Sequence, residues 1–280
     1  MIRSVYPVVA RLGPFTLHTY TLLVDLGIAA ALAWLYFRAP EGKTTRWLDT
    51  GLAATVGAFA GARLLYAVVN GNYYLPHLDE IFQIWQGGLA WPGAVFGGLA
   101  SAWLYCSRKR EPLSPVIDAL ALPIAFLGLL GWAGCLAAGC AYGYEVAPGQ
   151  IPAWMASDAP DLYGLTVPRF PTQAFGVTWG VITLGLVWGT VTAARNRHWP
   201  VGAQSPYALS LVALGAFFLG FTRGDPMPFI RGYRLDVIGS GLVLLASSLI
   251  WAWLVSRRPP ALPATPNPNP NFNSNSKPNS

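Results

Sequence analysis

Seven apolar stretches, each long enough to cross a bilayer, take up most of this chain and leave it little else to build with. A spanning helix needs about 20 mostly apolar residues. The runs fall near 19–37, 48–69, 89–105, 116–136, 174–194, 207–221 and 237–255. Only 11% of the residues are charged, against about 25% in a soluble domain, so there is too little polar surface to coat a water-soluble globule. Lipid offers a backbone no hydrogen bonds, and helices satisfy their own. The expected fold is therefore all-α: a polytopic membrane protein of about seven spans, with residues 1–258 as one transmembrane domain. The third and sixth runs are short, and the third contains Pro92; they are expected to be tilted, broken or partly interfacial. Small residues (Gly57, Gly61, Gly97, Gly98, Gly128, Gly131) are expected to let helices approach closely.

Charge sets the orientation. Basic residues cluster in alternate short loops: Arg38, Lys43 and Arg46; Arg108, Lys109 and Arg110; Arg195 and Arg197; Arg257 and Arg258. The intervening segments hold none at 70–88 and only Arg169 at 141–173. Positively charged loops stay in the cytoplasm, which puts the C-terminus inside and the N-terminus outside. The net charge of +6 is thus a topology signal and an attraction to anionic lipid, not a nucleic-acid footprint. The 222–236 loop breaks the pattern, with Arg223, Arg231 and Arg234 on the outer side. Charge placed against the topological preference suggests a use for it. Twelve Trp and twelve Tyr suit the membrane interface, and Trp154 makes the long 141–173 loop an expected interfacial cap. The first run lacks the short apolar core and small-residue cleavage site of a signal peptide, so no cleavable one is expected. Residues 259–280, rich in Pro and Asn, have almost nothing apolar to bury and are expected to be disordered.

Several short strings occur in order: Leu12-Gly-Pro-Phe-Thr-Leu-His18-Thr-Tyr20, Gly61-Ala-Arg63-Leu-Leu-Tyr66, Trp85-Gln-Gly-Gly-Leu89, Gly131-Trp-Ala-Gly134-Cys135-Leu-Ala-Ala-Gly139-Cys140, Arg169-Phe-Pro171-Thr172-Gln173 and Arg223-Gly-Asp225. Together, from about residue 5 to 255, they resemble the prolipoprotein diacylglyceryl transferase family. The resemblance implies an enzyme of the bacterial plasma (inner) membrane that moves the diacylglyceryl group of phosphatidylglycerol onto a lipobox cysteine thiol. Its implied partners are phosphatidylglycerol or another anionic phospholipid and a prolipoprotein peptide, with no cofactor, metal or nucleic acid. The chain departs from the family pattern in its polar centre. Pro92 stands where the family has His, Trp132 where it has Arg, Cys140 where it has Glu, Phe175-Gly176 where it has Tyr-Glu, and Ala216 and Gly220 where it has Arg and Glu. Two rival readings follow: a non-catalytic relative that binds phospholipid or lipoprotein, and a small membrane transporter.

Guanidinium stays charged and grips phosphate bidentately. Arg63, Arg223, Arg231, Arg234 and Arg169 are therefore the candidate lipid-phosphate ligands, against snorkelling or pairing with Asp79, Glu80, Asp225 or Asp236. Tyr20 and His18 are weak catalytic candidates. Histidine titrates nearest neutral pH, and Tyr20 is equally well read as a belt residue. Tyr66 and Gln173 are candidate substrate contacts. Asp25, inside the first span, is read as a structural hydrogen-bonding group. Pro171 and Thr172 are read as helix-start signals, with Thr as N-cap. Cys135 and Cys140 allow a disulfide if the helix breaks at a glycine; the reading preferred is two small thiols filling a tight helix contact.

Overall fold

The computed structural model describes residues 8–12, 15–83, 87–147, 149–152, 155–160, 165–193 and 199–257. The tail, Trp154, Trp85, Arg195 and Arg197 lie outside them. Helices dominate: α1 (Thr19–Arg38), α2 (Thr44–Val69), the single turn α3 (Gly71–Tyr74), α4 (Trp91–Lys109), α5 (Leu113–Ala119), α6 (Ala121–Ala138), α7 (Thr172–Ala193), α8 (Gln204–Gly220) and α9 (Leu235–Ser256). Five of them (α1, α2, α6, α7 and α9) are long and apolar enough to cross a membrane; α8 is a shorter apolar helix. The chain is a polytopic all-α membrane protein. Its apolar faces point outward as well as inward: Val56 and Val68 on α2, Val181 and Trp188 on α7, and Leu245 and Leu249 on α9 are exposed. Two small cores lie within, one of Ala121, Ala125, Val187 and Ala208, the other of Leu35, Trp47 and Val116.

The run expected at 116–136 is not one helix. It breaks at Leu120 into α5 and α6, and Pro123 supplies the reason. Proline has no N–H to bond the carbonyl four residues back. That carbonyl, on Ala119, instead accepts the indole N–H of Trp34 at 2.9 Å, which ties α1 to the break. Pro92, by contrast, breaks nothing. It sits in the first turn of α4, where an N–H would have no helical partner. Asp118 of α5 accepts from the backbone N–H groups of Gly202 (2.6 Å) and Gln204 (3.0 Å), capping α8 from another helix.

Glycines weld α2 to α4. A Cβ on Gly61 would fall 2.4 Å from the Gly93 carbonyl oxygen, and one on Gly97 would fall 2.2 Å from that of Gly57. Gly131 has nothing within 4 Å of such a Cβ, so the close approach expected there is absent.

Short antiparallel pairs decorate the bundle. β1 (Val8–Leu12) pairs with β2 (Phe15–His18), β3 (Ser157–Pro160) with β4 (Thr166–Arg169), and β5 (Phe229–Ile230) with β6 (Tyr233–Arg234). Each is too short to carry a clear alternating pattern, which is why the apolar periodicity gave no sign of them.

Candidate functional site

The site lies where α1 and α9 begin and α8 ends. Three segments knit together there by backbone hydrogen bonds. Tyr144 N–H donates to Thr222 O (3.0 Å), Gly224 N–H to Tyr142 O (2.8 Å), Phe170 N–H to Tyr144 O (3.0 Å) and Val146 N–H to Pro168 O (2.9 Å). Thr172, expected as an N-cap, spends its hydroxyl elsewhere: it lies 2.9 Å from the Thr222 hydroxyl and 3.0 Å from the Thr222 carbonyl oxygen. It is fully buried. The start of α7 is thereby bolted to the end of α8, and the 141–173 loop is fixed to the 222–236 loop.

Two arginines and two aspartates fill this platform. Arg223 donates from Nε to Asp225 Oδ1 (2.8 Å) and from Nη2 to Asp225 Oδ2 (2.5 Å), and its Nη1 lies 3.3 Å from Asp236 Oδ2. Arg234 donates from Nε and Nη2 to Asp236 (3.2 Å each), from Nη2 to Asp225 Oδ1 (3.3 Å), and from Nη1 to the carbonyls of Arg223 and Asp225 (3.2 and 3.0 Å). The four charges cancel. Burial alone would lower the pKa of Arg223, but the hydrogen bond and charge of Asp225, with Asp236 and Tyr20 adding, raise it above the usual arginine value. It stays a cation.

A guanidinium has five N–H donors, and counting them separates these arginines. Arg234 has all five committed within the cluster. Arg63, only 3% exposed, commits all five to backbone carbonyls: Ile81 from Nε, Gly87 and Gly88 from Nη1, Glu80 and Gln83 from Nη2, at 2.6 to 3.3 Å. Its guanidinium also sits over the Tyr74 ring at 5.2 Å. In this arrangement Arg63 ties Glu80, Ile81 and Gln83 to Gly87 and Gly88 and has no donor left for a phosphate. Arg169 is buried against Tyr142, 4.7 Å from the ring centroid, and donates to Glu145 at 3.1 Å. Arg223 alone in the cluster donates only two N–H groups, both to Asp225; its Nη1 is ion-paired with Asp236, and neither Nη1–H nor the second Nη2–H makes a hydrogen bond among the described residues. Arg231 is exposed in the turn between β5 and β6.

The other expected site residues gather unevenly around Arg223. Tyr20, in the first turn of α1, packs on the α6 backbone: a Cβ on Gly134 would fall 3.1 Å from its Cδ2. Tyr20 is 41% exposed. His18 ends β2, exposed, immediately before α1. Tyr66 packs edge-on against Tyr74 at 6.1 Å and against Gly88, away from the cluster. Gln173 donates from Nε2 to the carbonyls of Cys140 (2.6 Å) and Cys135 (3.3 Å). Those cysteines are joined in a disulfide, Cα atoms 4.5 Å apart, which replaces the preferred expectation of free thiols. The break is at Gly139, whose φ of 78° ends α6 and turns Cys140 back onto Cys135. Asp25 makes no hydrogen bond among the described residues and is exposed on α1, contrary to its expected structural role.

The departures from the family pattern are filled by packing. The Trp132 ring lies where a side chain at 176 would begin: a Cβ on Gly176 would fall 2.2 Å from Trp132 Cδ2. Two substitutions that look separate in the sequence are one steric unit. Pro92 rests on Gly239, and Gly220 rests on Val237. Ala216 is half-buried on α8. A half-open cavity of about 220 Å³ lies at the opposite end of the bundle, lined by Trp34, Arg38, Trp47, Asp118 and Gln204 among others.

A family model described as prolipoprotein diacylglyceryl transferase matches residues 7–253. Among similar proteins, a phosphatidylglycerol–prolipoprotein diacylglyceryl transferase of Symbiobacterium thermophilum is 27% identical over 92% of this chain and 96% of its own length. One of Streptococcus uberis is 28% identical over 92% and 97%. One of Gloeobacter violaceus is 30% identical over 88% and 92%.

Proposed function

We propose that this chain, which belongs to the prolipoprotein diacylglyceryl transferase family, moves the diacylglyceryl group of phosphatidylglycerol onto the cysteine thiol of a prolipoprotein. The setting is the bacterial inner membrane, with the Arg223 platform on the outer face, the orientation favoured by the basic loops. The lipobox peptide is the acceptor. Its thiolate, the reactive form, attacks the glyceryl carbon that bears the phosphate ester. A carbon–sulfur bond forms, the carbon–oxygen bond breaks, and glycerol phosphate leaves with the electron pair. The thiol proton passes to a base, for which His18 is the candidate.

The observation that carries this reading is Arg223: a permanently charged guanidinium, held by two carboxylates, with N–H groups on both terminal nitrogens that make no hydrogen bond among the described residues. A donor held in place before charge develops stabilises a leaving phosphate without reorganising. Asp225 and Asp236 serve as positioning groups. They also lower the net charge, so binding rests on directed N–H bonds more than on a positive field.

One specific observation favours a second reading, a relative that binds lipid or lipoprotein without turnover. Trp132 over Gly176 fills with apolar atoms a region where the family pattern implies charge. One experiment separates the two. Proteoliposomes holding the purified chain, phosphatidylglycerol labelled in its acyl chains and a lipobox peptide are incubated, and label on the peptide is measured. Transfer that falls at least tenfold in Arg223→Lys supports the transferase. Saturable lipid binding without transfer supports the binder. Neither transfer nor saturable binding sinks both.

A further inference from the structure

We infer that the β5–β6 hairpin is a membrane-docking finger whose tip takes the headgroups of anionic lipids in the surrounding bilayer, separately from any lipid bound at Arg223. Its root is fixed. Phe229 pairs with Arg234 and Ile230 with Tyr233, Leu235 N–H donates to Pro228 O at 3.0 Å, and Arg234 is locked into the charge cluster. Its tip is bare. Phe229 is 62% exposed, Ile230 49% and Tyr233 61%, and Arg231 has no partner among the described residues.

Three features say what covers this surface. First, place: β6 runs directly into α9, a membrane-spanning helix beginning at Leu235. Strands rise about 3.3 Å per residue, so the tip lies within roughly 10 Å of the start of the span. The headgroup region is roughly 5–8 Å deep on each side. The root of the hairpin is therefore in the interface, and a hairpin lying along the surface keeps its tip among the headgroups. Second, composition: two apolar side chains, a tyrosine and a cation are what the interface accepts, with rings at headgroup level and the cation among anionic headgroups. Third, backbone: Arg231 and Gly232 both have positive φ, 50° and 84°, as a tight two-residue hairpin turn requires. A left-handed conformation disfavours residues that carry a Cβ, and glycine, asparagine or aspartate would serve the turn better. An arginine held there, with all its donors free, is explained by a use outside the fold.

The test does not involve transfer activity. Cys106 is buried and Cys135 is bonded to Cys140, so a cysteine introduced by Ile230→Cys takes up an environment-sensitive fluorophore selectively. The labelled chain is placed in nanodiscs of phosphatidylcholine alone, or with phosphatidylglycerol. Blue-shifted emission, quenched by spin labels near the lipid headgroup and strengthened by phosphatidylglycerol in a salt-sensitive way, is expected. Arg231→Gln should abolish the phosphatidylglycerol and salt dependence while leaving some quenching. Emission as in water, with no lipid quenching, would overturn the inference. So would a spectrum that changes only on adding a lipobox peptide, or only when two copies share a disc, because either would make the finger a protein contact.

Discussion

At the scale of single residues, the arginines differ in what their donors are doing, not in how many charges they carry. Arg63 bonds five backbone carbonyls, two in the 3₁₀ turn Leu78–Phe82 (Glu80 and Ile81) and three at Gln83, Gly87 and Gly88. Arg63→Ala leaves those carbonyls without a donor, and each unsatisfied buried group costs about 1–3 kcal/mol. A loss of about 3 kcal/mol or more is expected, with faster hydrogen exchange across residues 80–88 and phosphatidylglycerol affinity changed less than twofold. Arg223→Ala should do the reverse: a smaller loss of stability and affinity down about tenfold or more, since a charge-assisted hydrogen bond is worth about 1.5–3 kcal/mol. Equilibrium lipid binding and thermal unfolding of both variants check the pair. Sequence reading placed Arg63 and Arg223 in one group because both are intramembrane or interfacial cations. What separated them was the identity of their acceptors, which lie 17 to 25 residues away for Arg63 and 2 to 13 for Arg223. Asp225 and Asp236 are legible in the sequence as alternative partners, but the geometry that leaves donors on both terminal nitrogens of Arg223 is not.

At the scale of elements, the long apolar runs were readable because hydrocarbon leaves a backbone few choices, and their ends were recovered within a few residues. The break inside the fourth run is less readable: Pro123 frees the Ala119 carbonyl, and the donor that takes it up, the Trp34 indole N–H, is distant in sequence. The paired departures Trp132 and Gly176 looked like two independent losses until the ring was seen lying where the second side chain would begin. This makes a coupling prediction. Gly176→Ala should destabilise the chain by about 1–3 kcal/mol, the usual cost of overpacking a core. In a Trp132→Ala background the same change should cost close to nothing, a double-mutant interaction of at least 1 kcal/mol measured by thermal or denaturant unfolding in detergent. The disulfide is a second element-scale feature. Closing so short a loop is worth about 2 kcal/mol by chain entropy. Reduction, or Cys135→Ser with Cys140→Ser, should lower stability by that amount and loosen the α6 end that Gln173 pins through both carbonyls.

At the scale of the whole molecule, the scaffold and the chemistry draw on different parts of the chain. The scaffold needs apolar helices, a glycine seam between α2 and α4, and the backbone knit that joins three loops at one end. All are present. The chemistry needs oriented polar groups at the lipid phosphate, and Pro92, Trp132, Ala216 and Gly220 stand where the family pattern has them. Removing a single pre-oriented donor from such a site costs about 10²–10³ in rate. With Arg223 left to act, transfer from phosphatidylglycerol to a lipobox peptide should run at least about 10²-fold slower than in a relative that keeps those polar groups, side by side in the same proteoliposomes. His18→Gln then becomes the deciding variant. If it abolishes the residual transfer, the imidazole at the head of α1 is the base. If the slow rate persists unchanged, the thiol ionises without help from the protein, and Arg223 is the whole of its catalytic machinery.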